Sequence, residues 1–266
     1  MNRYYYDLHL HSCLSPCGDD ESTPGNIVGM SVVKGLEVIA LTDHNTAKNC
    51  PAFMSIAEEI GFLAIPGMEL TTSEEVHVVC LFYTLEDAMR FDKYVESRIL
   101  PIANRPAKFG NQFICDENDE VVDEFHTLLI SATSISFDDV YDLMEEFNGV
   151  MIPAHIDKKS FSLMSNLGFV PPDAQFKCFE LHDITKLHEL QRNDPYLLSC
   201  NVITDSDAHY LKDINVTAAD AARRFNVSET TVHNIVLQYL DRKRLPLPKI
   251  LCVDEVYLNF DEKPSY

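Results

Sequence analysis

The chain has 266 residues, 46% of them hydrophobic, enough for a sizeable core in one large domain or two small ones. No stretch of about 18 consecutive apolar residues occurs, which excludes a membrane-spanning helix by hydropathy and argues against a membrane partner. The formal net charge is −21 and uneven: residues 1–215 carry 14 Lys and Arg against 35 Asp and Glu, whereas residues 216–266 carry seven of each. The acidic part should repel long nucleic acid, whose binding needs counterion-releasing cations. It can still take a small anion where metal ions line a site. The opening residues MNRYYYDLHLH lack the apolar stretch and cleavage site of a secretory signal, so a cytoplasmic location is expected. Eight cysteines without a CxxC pair read as reduced thiols rather than a disulfide framework. The spacing of Cys13 and Cys17 beside the first histidines is a weak metal signal.

Short apolar runs alternate with helical segments as far as about residue 209. Residues 4–8 predict a strand. Residues 23–35 predict a helix with Thr23 as N-cap and Pro24 at its first position. A buried strand over 36–41 precedes a second helix over 51–60, which ends at Gly61. Strands follow over 62–70, 76–83, 149–155, 177–183 and 201–209. Their continuous apolar character predicts a parallel sheet covered on both faces. Residues 86–148 read as an insertion with an amphipathic helix, a turn region bearing Gly and Asn, and two more helices. Such an insertion would roof a site or pack against the outer helices.

Metal-binding residue types recur at the predicted strand ends. His9 and His11 close the first strand with period-two spacing, which turns both side chains to one face. His44 follows the second strand, Glu69 closes the third, and His155 closes the fifth. Asp207 and His209 repeat the period-two pattern at the last. In parallel α/β barrels the C-terminal strand ends form the active-site rim. His77, which opens the fourth strand, is the exception. Six of the ten histidines belong to this set; His126, His182, His188 and His233 do not. Imidazoles and carboxylates together suit zinc, manganese and iron.

The run DLHLHS, LEVIALTDHNT, PGMEL, a strand histidine, PAH and SDAH resembles the polymerase and histidinol phosphatase (PHP) superfamily over about residues 4–213. The resemblance implies an α/β fold, a distorted seven-stranded β/α barrel here carrying a helical insertion. It also implies two or three divalent ions (manganese, zinc or iron) and hydrolysis of a phosphomonoester or short nucleotide phosphoester. The implied ligands are His9, His11, His44, Glu69, His77, His155, Asp207 and His209, with Glu69 bridging two ions. Of these, His9, His11, Glu69, Asp207 and His209 form the implied catalytic set. A further carboxylate in a Ser-Asp-Gly setting normally follows the first motif. Counting back from Thr23-Pro24 puts Asp19 there, with Asp20 the alternative, because SPCGDD departs from the pattern. Asp43 reads as a residue that orients a histidine. Lys158, Lys159 and His182 are candidates for binding a small phosphorylated substrate, with a surface role the competing reading for the lysines.

The tail differs. Residues 218–237 fit a helix-turn-helix, with Asn226 at the turn and Ser228 capping the second helix. RKRLPLPKILCVDEVYLNF resembles the join between such a unit and the catalytic domain of insertion-sequence transposases, with Asp254 matching the first carboxylate of their Asp-Asp-Glu triad. Two units are therefore expected: a phosphoesterase domain over 1–215 and, over 216–266, a helix-turn-helix-like segment plus a truncated transposase start, joined in frame near 214–217. Transposase chemistry is not expected, since the other two carboxylates are missing. Two competing functions follow: a metal-binding barrel inactivated by loss of its native C-terminal element, and DNA binding through the tail.

Overall fold

A computed structural model describes residues 5–214, 250–253 and 256–259. In chain order the elements are β1 (Tyr6–Leu10), α1 (Pro24–Lys34), β2 (Val38–Leu41), α2 (Cys50–Glu59), β3 (Leu63–Thr71), β4 (His77–Phe82) and α3 (Leu85–Glu96). Then come α4 (Pro106–Phe109), β5 (Phe113–Cys115), β6 (Val121–Glu124), α5 (Phe137–Glu146), β7 (Gly149–Pro153) and α6 (Leu163–Asn166). The last are β8 (Cys178–Glu180), α7 (Leu187–Asn193), β9 (Asn201–Ile203), β10 (Ile250–Val253) and β11 (Val256–Asn259). Residues 218–237, where a helix-turn-helix is expected, and Asp254 lie outside the described residues. Within that tail, β10 and β11 form an antiparallel pair. No helix among the described residues is long and apolar enough to cross a membrane.

Local chemistry explains the first elements. Thr23 caps α1 by accepting from Asn26 N–H, and Pro24 occupies a position where its missing N–H costs nothing. Pro24, Ile27, Val28 and Ser31 make the buried stripe of α1, and Gly35, at φ 77°, closes it in the left-handed region. Every residue of β1, β2, β3 and β4 is buried, the polar Asp7, His9, Glu69 and His77 among their apolar neighbours included.

The sheet is mixed rather than parallel. β1, β2 and β3 run parallel, but β4 runs antiparallel to both β3 and β7, in the order β1-β2-β3-β4-β7. Thr72 N–H donates to Val76 O at 3.0 Å and Glu75 N–H to Thr72 O at 2.9 Å, so β3 and β4 are joined by a tight turn. A parallel return would need a crossover of a dozen or more residues. The reversal pairs Thr71 with His77. The residue that opens β4 therefore lies at the end where β3 closes, and the sequence exception at His77 disappears.

The expected closed seven-stranded barrel is not formed by continuous ladders. β8 and β9 are a separate parallel pair. Backbone bonds from Ile156 N–H to Glu180 O (2.9 Å) and from His11 N–H to Ala208 O (3.0 Å) connect this pair to its neighbours. At these seams His155 (φ 30°) and Asp207 (φ 51°) turn out of the extended region and break the strand path.

The insertion holds three helices, α3, α4 and α5, and also a hairpin that was not expected. Its central part is a β5–β6 hairpin, and α4 is a single turn. Asn45 ties this region to the end of β2. Its buried side chain donates to Leu129 O (2.7 Å) and Ser131 O (2.8 Å) and accepts from Thr71 N–H (2.7 Å). Its own φ is 53°, a conformation Asn tolerates better than most residues. Asn45→Ala should lower unfolding stability by roughly 3 kcal/mol, because it strands buried backbone partners. Urea titration should show a lower midpoint, and Asn45→Gly, which keeps the left-handed turn without strain, should lose less.

Candidate metal centre

β1 delivers His9 and the residue after its end, His11, to one face, as the period-two spacing requires. β3 delivers Glu69, and the Glu69 backbone bridges to His44 just beyond β2. His77, His155, Asp207 and His209 arrive from β4 and from the ends of β7 and β9. Glu69 Oε1 lies 3.2 Å from His9 Nε2, 2.8 Å from His77 Nδ1 and 3.1 Å from His155 Nε2. Glu69 Oε2 lies 2.8 Å from His44 Nδ1 and 3.4 Å from His11 Nε2. Asp207 Oδ1 is 3.5 Å from His9 Nε2 and 3.3 Å from His11 Nε2, and 3.6 Å from His209 Nδ1.

Three groups of these donors converge closely enough to hold an ion: His9, His11, Glu69 and Asp207; His44, Glu69 and His77; and His11, His44 and His209. His9 Nε2, His11 Nε2, His44 Nδ1, Glu69 Oε2 and Asp207 Oδ1 are buried without an aligned hydrogen-bond partner. Buried polar atoms left this way cost free energy unless something else satisfies them. Lone pairs converging on a common point fit a divalent cation.

Neighbouring groups set which ring nitrogen is bare. Glu180 Oε2 accepts from His9 Nδ1 at 2.7 Å, so in the neutral ring Nε2 is the nitrogen left to ligate. Asp43 takes the hydroxyl protons of Ser12 and Ser15 at 2.6 and 2.7 Å. Ser15 Oγ, its own proton spent on Asp43, accepts from His11 Nδ1 at 2.9 Å and so bares His11 Nε2. Asp43 thus orients a histidine, through Ser15. Charge follows the same plan. Burial opposes ionisation of Glu69, yet His77, His9 and His44 hold its carboxyl well below the usual range. Burial likewise opposes the Asp207 charge, and His9 with the His11 contact holds it low. Burial pushes His11 well below the ordinary imidazole value, aided by His209 and His44, so it is neutral and ready to ligate.

A cavity of about 300 Å³ opens over this floor, lined by Cys17, His44, Glu69, His77, His155, Asp207 and His209, with Ile130, Lys158, Ser160 and Phe161 completing it. Lys158 Nζ pairs with Asp207 Oδ2. Lys159 and His182 are exposed and are not among the lining residues. Asp19 is not among the converging donors: its Oδ1 accepts from Glu21 N–H at 3.0 Å. The Asp20 carboxylate accepts from Asn111 Nδ2 at 2.7 Å. Cys17 lines the cavity together with His44 and His209, though it too is not among the converging donors. Aligning Gly18 with the glycine of Ser-Asp-Gly, rather than counting back from Thr23-Pro24, would have placed Cys17 there. Glu180 was also missed, although a carboxylate in the buried strand CFE is itself a signal.

Residues 7–166 match the PHP domain family, and the chain belongs to it. Over 79 residues it is 35% identical to a 5'-3' exoribonuclease of Haemophilus influenzae, a match that covers 29% of this chain and 28% of that protein. The chain spans less than half the length of the curated relatives it matches. Its fold resembles a lesion-specific endonuclease of Pyrococcus furiosus, with a TM-score of 0.60, 17% identity, and 89% of this chain and 56% of that one covered. It also resembles a Bifidobacterium adolescentis protein described as a metal-dependent phosphoesterase, with a TM-score of 0.57, 18% identity, and 90% and 96% covered.

Glu180→Gln should weaken divalent-ion affinity by about 10–100-fold, because it loosens the orientation of His9. Titration calorimetry on protein with an unchanged circular dichroism spectrum checks this.

Proposed function

We propose that this chain hydrolyses phosphate esters, either phosphomonoesters or short nucleotide phosphoesters, with two or three divalent ions held by His9, His11, His44, Glu69, His77, His155, Asp207 and His209. The observation that carries the reading is the convergence of buried imidazole and carboxylate lone pairs that have no hydrogen-bond partner of their own. Divalent ions bound there would supply Lewis acidity, activating water near neutral pH and neutralising phosphoryl charge. Manganese, zinc and iron all suit this donor set.

The protein's own groups do the rest. Glu180 and the Asp43–Ser15 pair hold His9 and His11 in the tautomers that present Nε2 to the site. Lys158, paired with Asp207, brings a cation to the cavity wall, where it would meet a non-bridging phosphoryl oxygen. Lys159 and His182 would contribute only from the outer rim. Ile130 and Phe161 add apolar surface to the cavity lining. A cavity of about 300 Å³ suits a small phosphorylated group or the end of a chain. The exoribonuclease relative and the endonuclease-like fold support a nucleotide as the group carried by the phosphate.

Treatment with a chelator should abolish hydrolysis of p-nitrophenyl phosphate mono- and diesters, and manganese or zinc should restore it. Asp207→Asn should lower the restored rate by more than about 100-fold. Turnover that survives complete metal removal would sink the proposal.

A further inference from the structure

One aromatic ring stands at the cavity without the burial that core packing gives. Phe161 is 42% exposed and, histidines aside, is the one aromatic among the cavity-lining residues. Its ring lies on that of His77, with centroids 4.9 Å apart and planes 26° from parallel. Its backbone sits at φ 53°, where a bulky side chain is a rare and costly occupant. The surroundings hold it there. His77 N–H donates to Phe161 O at 3.1 Å. The next residue, Ser162, donates its hydroxyl to Lys158 O at 2.7 Å and caps α6 through a reciprocal pair of bonds with Ser165. A ring kept only to shield His77 would be expected to lie buried, as Phe176 and Phe179 do at 1% and 0% exposure.

We propose that Phe161 is a stacking platform for the base of a nucleotide substrate, its ring fixed from beneath by His77. The proposal rests on the hydrolytic reading and names what holds the part of the substrate beyond its phosphate. A flat ring has two faces. His77 covers one, so the exposure of Phe161 belongs to the other face and to the ring edge. His77 is itself one of the histidines of the centre, with Nδ1 at 2.8 Å from Glu69 Oε1. The platform therefore adjoins the place where a phosphate would be held, and in a nucleotide a single pentose joins phosphate to base. Stacking on an aromatic side chain favours any base over none, because every base has a π face. Phe161 then selects for the presence of a base and discriminates little between bases. A sugar phosphate without a base would meet only Lys158 and the centre, and would forgo this contact. The left-handed backbone fits the same role, since strained residues persist where a ligand must be clamped and the surrounding bonds over-determine them.

The test has an optical arm that needs no turnover. Zinc-loaded protein is titrated with the phosphorothioate of 2-aminopurine riboside, whose sulfur slows hydrolysis and whose base loses fluorescence when it stacks. The chain has no tryptophan to compete with that signal. The wild type should quench the probe. Phe161→Leu, which keeps an apolar cover on His77, should bind the probe roughly 5–100-fold more weakly and without quenching. Phe161→Tyr should restore both. In the kinetic arm, Phe161→Leu should lower the ratio of kcat/KM for adenosine monophosphate to that for ribose phosphate by roughly 5–100-fold, chiefly through KM. Equal loss for the two substrates, quenching that persists in Phe161→Leu, or a wild type that binds the probe without quenching overturns the platform and leaves metal-dependent hydrolysis standing. A wild type that quenches the probe but turns over neither substrate overturns the hydrolytic reading and upholds the platform.

Discussion

Glu69 is 1% exposed and lies within 3.4 Å of five imidazoles, those of His9, His11, His44, His77 and His155. A carboxylate cannot be buried so deeply unless positive charge compensates it. In the metal-free protein, partly protonated histidines provide that charge. His9 shows it: burial disfavours its cation, yet Glu180, Glu69 and Asp207 together hold it well above the ordinary imidazole value. A divalent ion would take over that compensation as the imidazoles give up their protons, and the surrounding elements meet the geometric demand that Glu69 makes.

Two irregularities in the sheet answer that demand. The short turn between β3 and β4 reverses the chain and brings His77 back over Glu69, with a ring-nitrogen contact of 2.8 Å. The seams beside β8 and β9, where ladders are interrupted, carry His155 and Asp207 in positive-φ conformations. Each such residue costs of order 1–3 kcal/mol and persists only where surrounding contacts over-determine it. Phe161, which stacks on His77 at 4.9 Å between ring centroids, shares that conformation at φ 53°. The places where the barrel is least regular are the places where side chains are aimed at the centre.

Around the donors, hydrogen bonds fix direction rather than add affinity directly. Asp43 and Ser15 act on His11, Glu180 acts on His9, and Asn45 clamps the insertion to the β2 end. The insertion matters to the site through Gly110, whose contact at Pro16 braces the loop carrying Cys17, and through Ile130 at the cavity wall.

Much of this was legible in one dimension. A period-two His-x-His pair must face one way on an extended chain, so His9 with His11 could be grouped from spacing alone, whereas Asp207, at φ 51°, leaves the extended path and meets His209 through the fold. Unbroken apolar runs announced buried strands, and Thr23-Pro24 announced the start of α1, because caps and hydrophobic periods are local properties. Strand direction was not local: a buried antiparallel strand has the same apolar run as a buried parallel one, so the reversal at β4 was invisible and His77 looked misplaced. The β5–β6 hairpin was hidden for a similar reason, its short strands being too brief to show a period. The loop between Ser15 and Thr23 offered Cys17, Asp19 and Asp20 within four positions, and counting back from Thr23-Pro24 under the resemblance favoured Asp19. Only the packing of Gly18 and Gly110 and the bond from Asp19 N–H to His209 O decided which side chain faces the histidines. Sequence alone marked most of the histidines and carboxylates that converge and the strands that are buried. Tertiary structure decided strand direction, loop path and tautomer, because each depends on contacts between residues far apart in the chain.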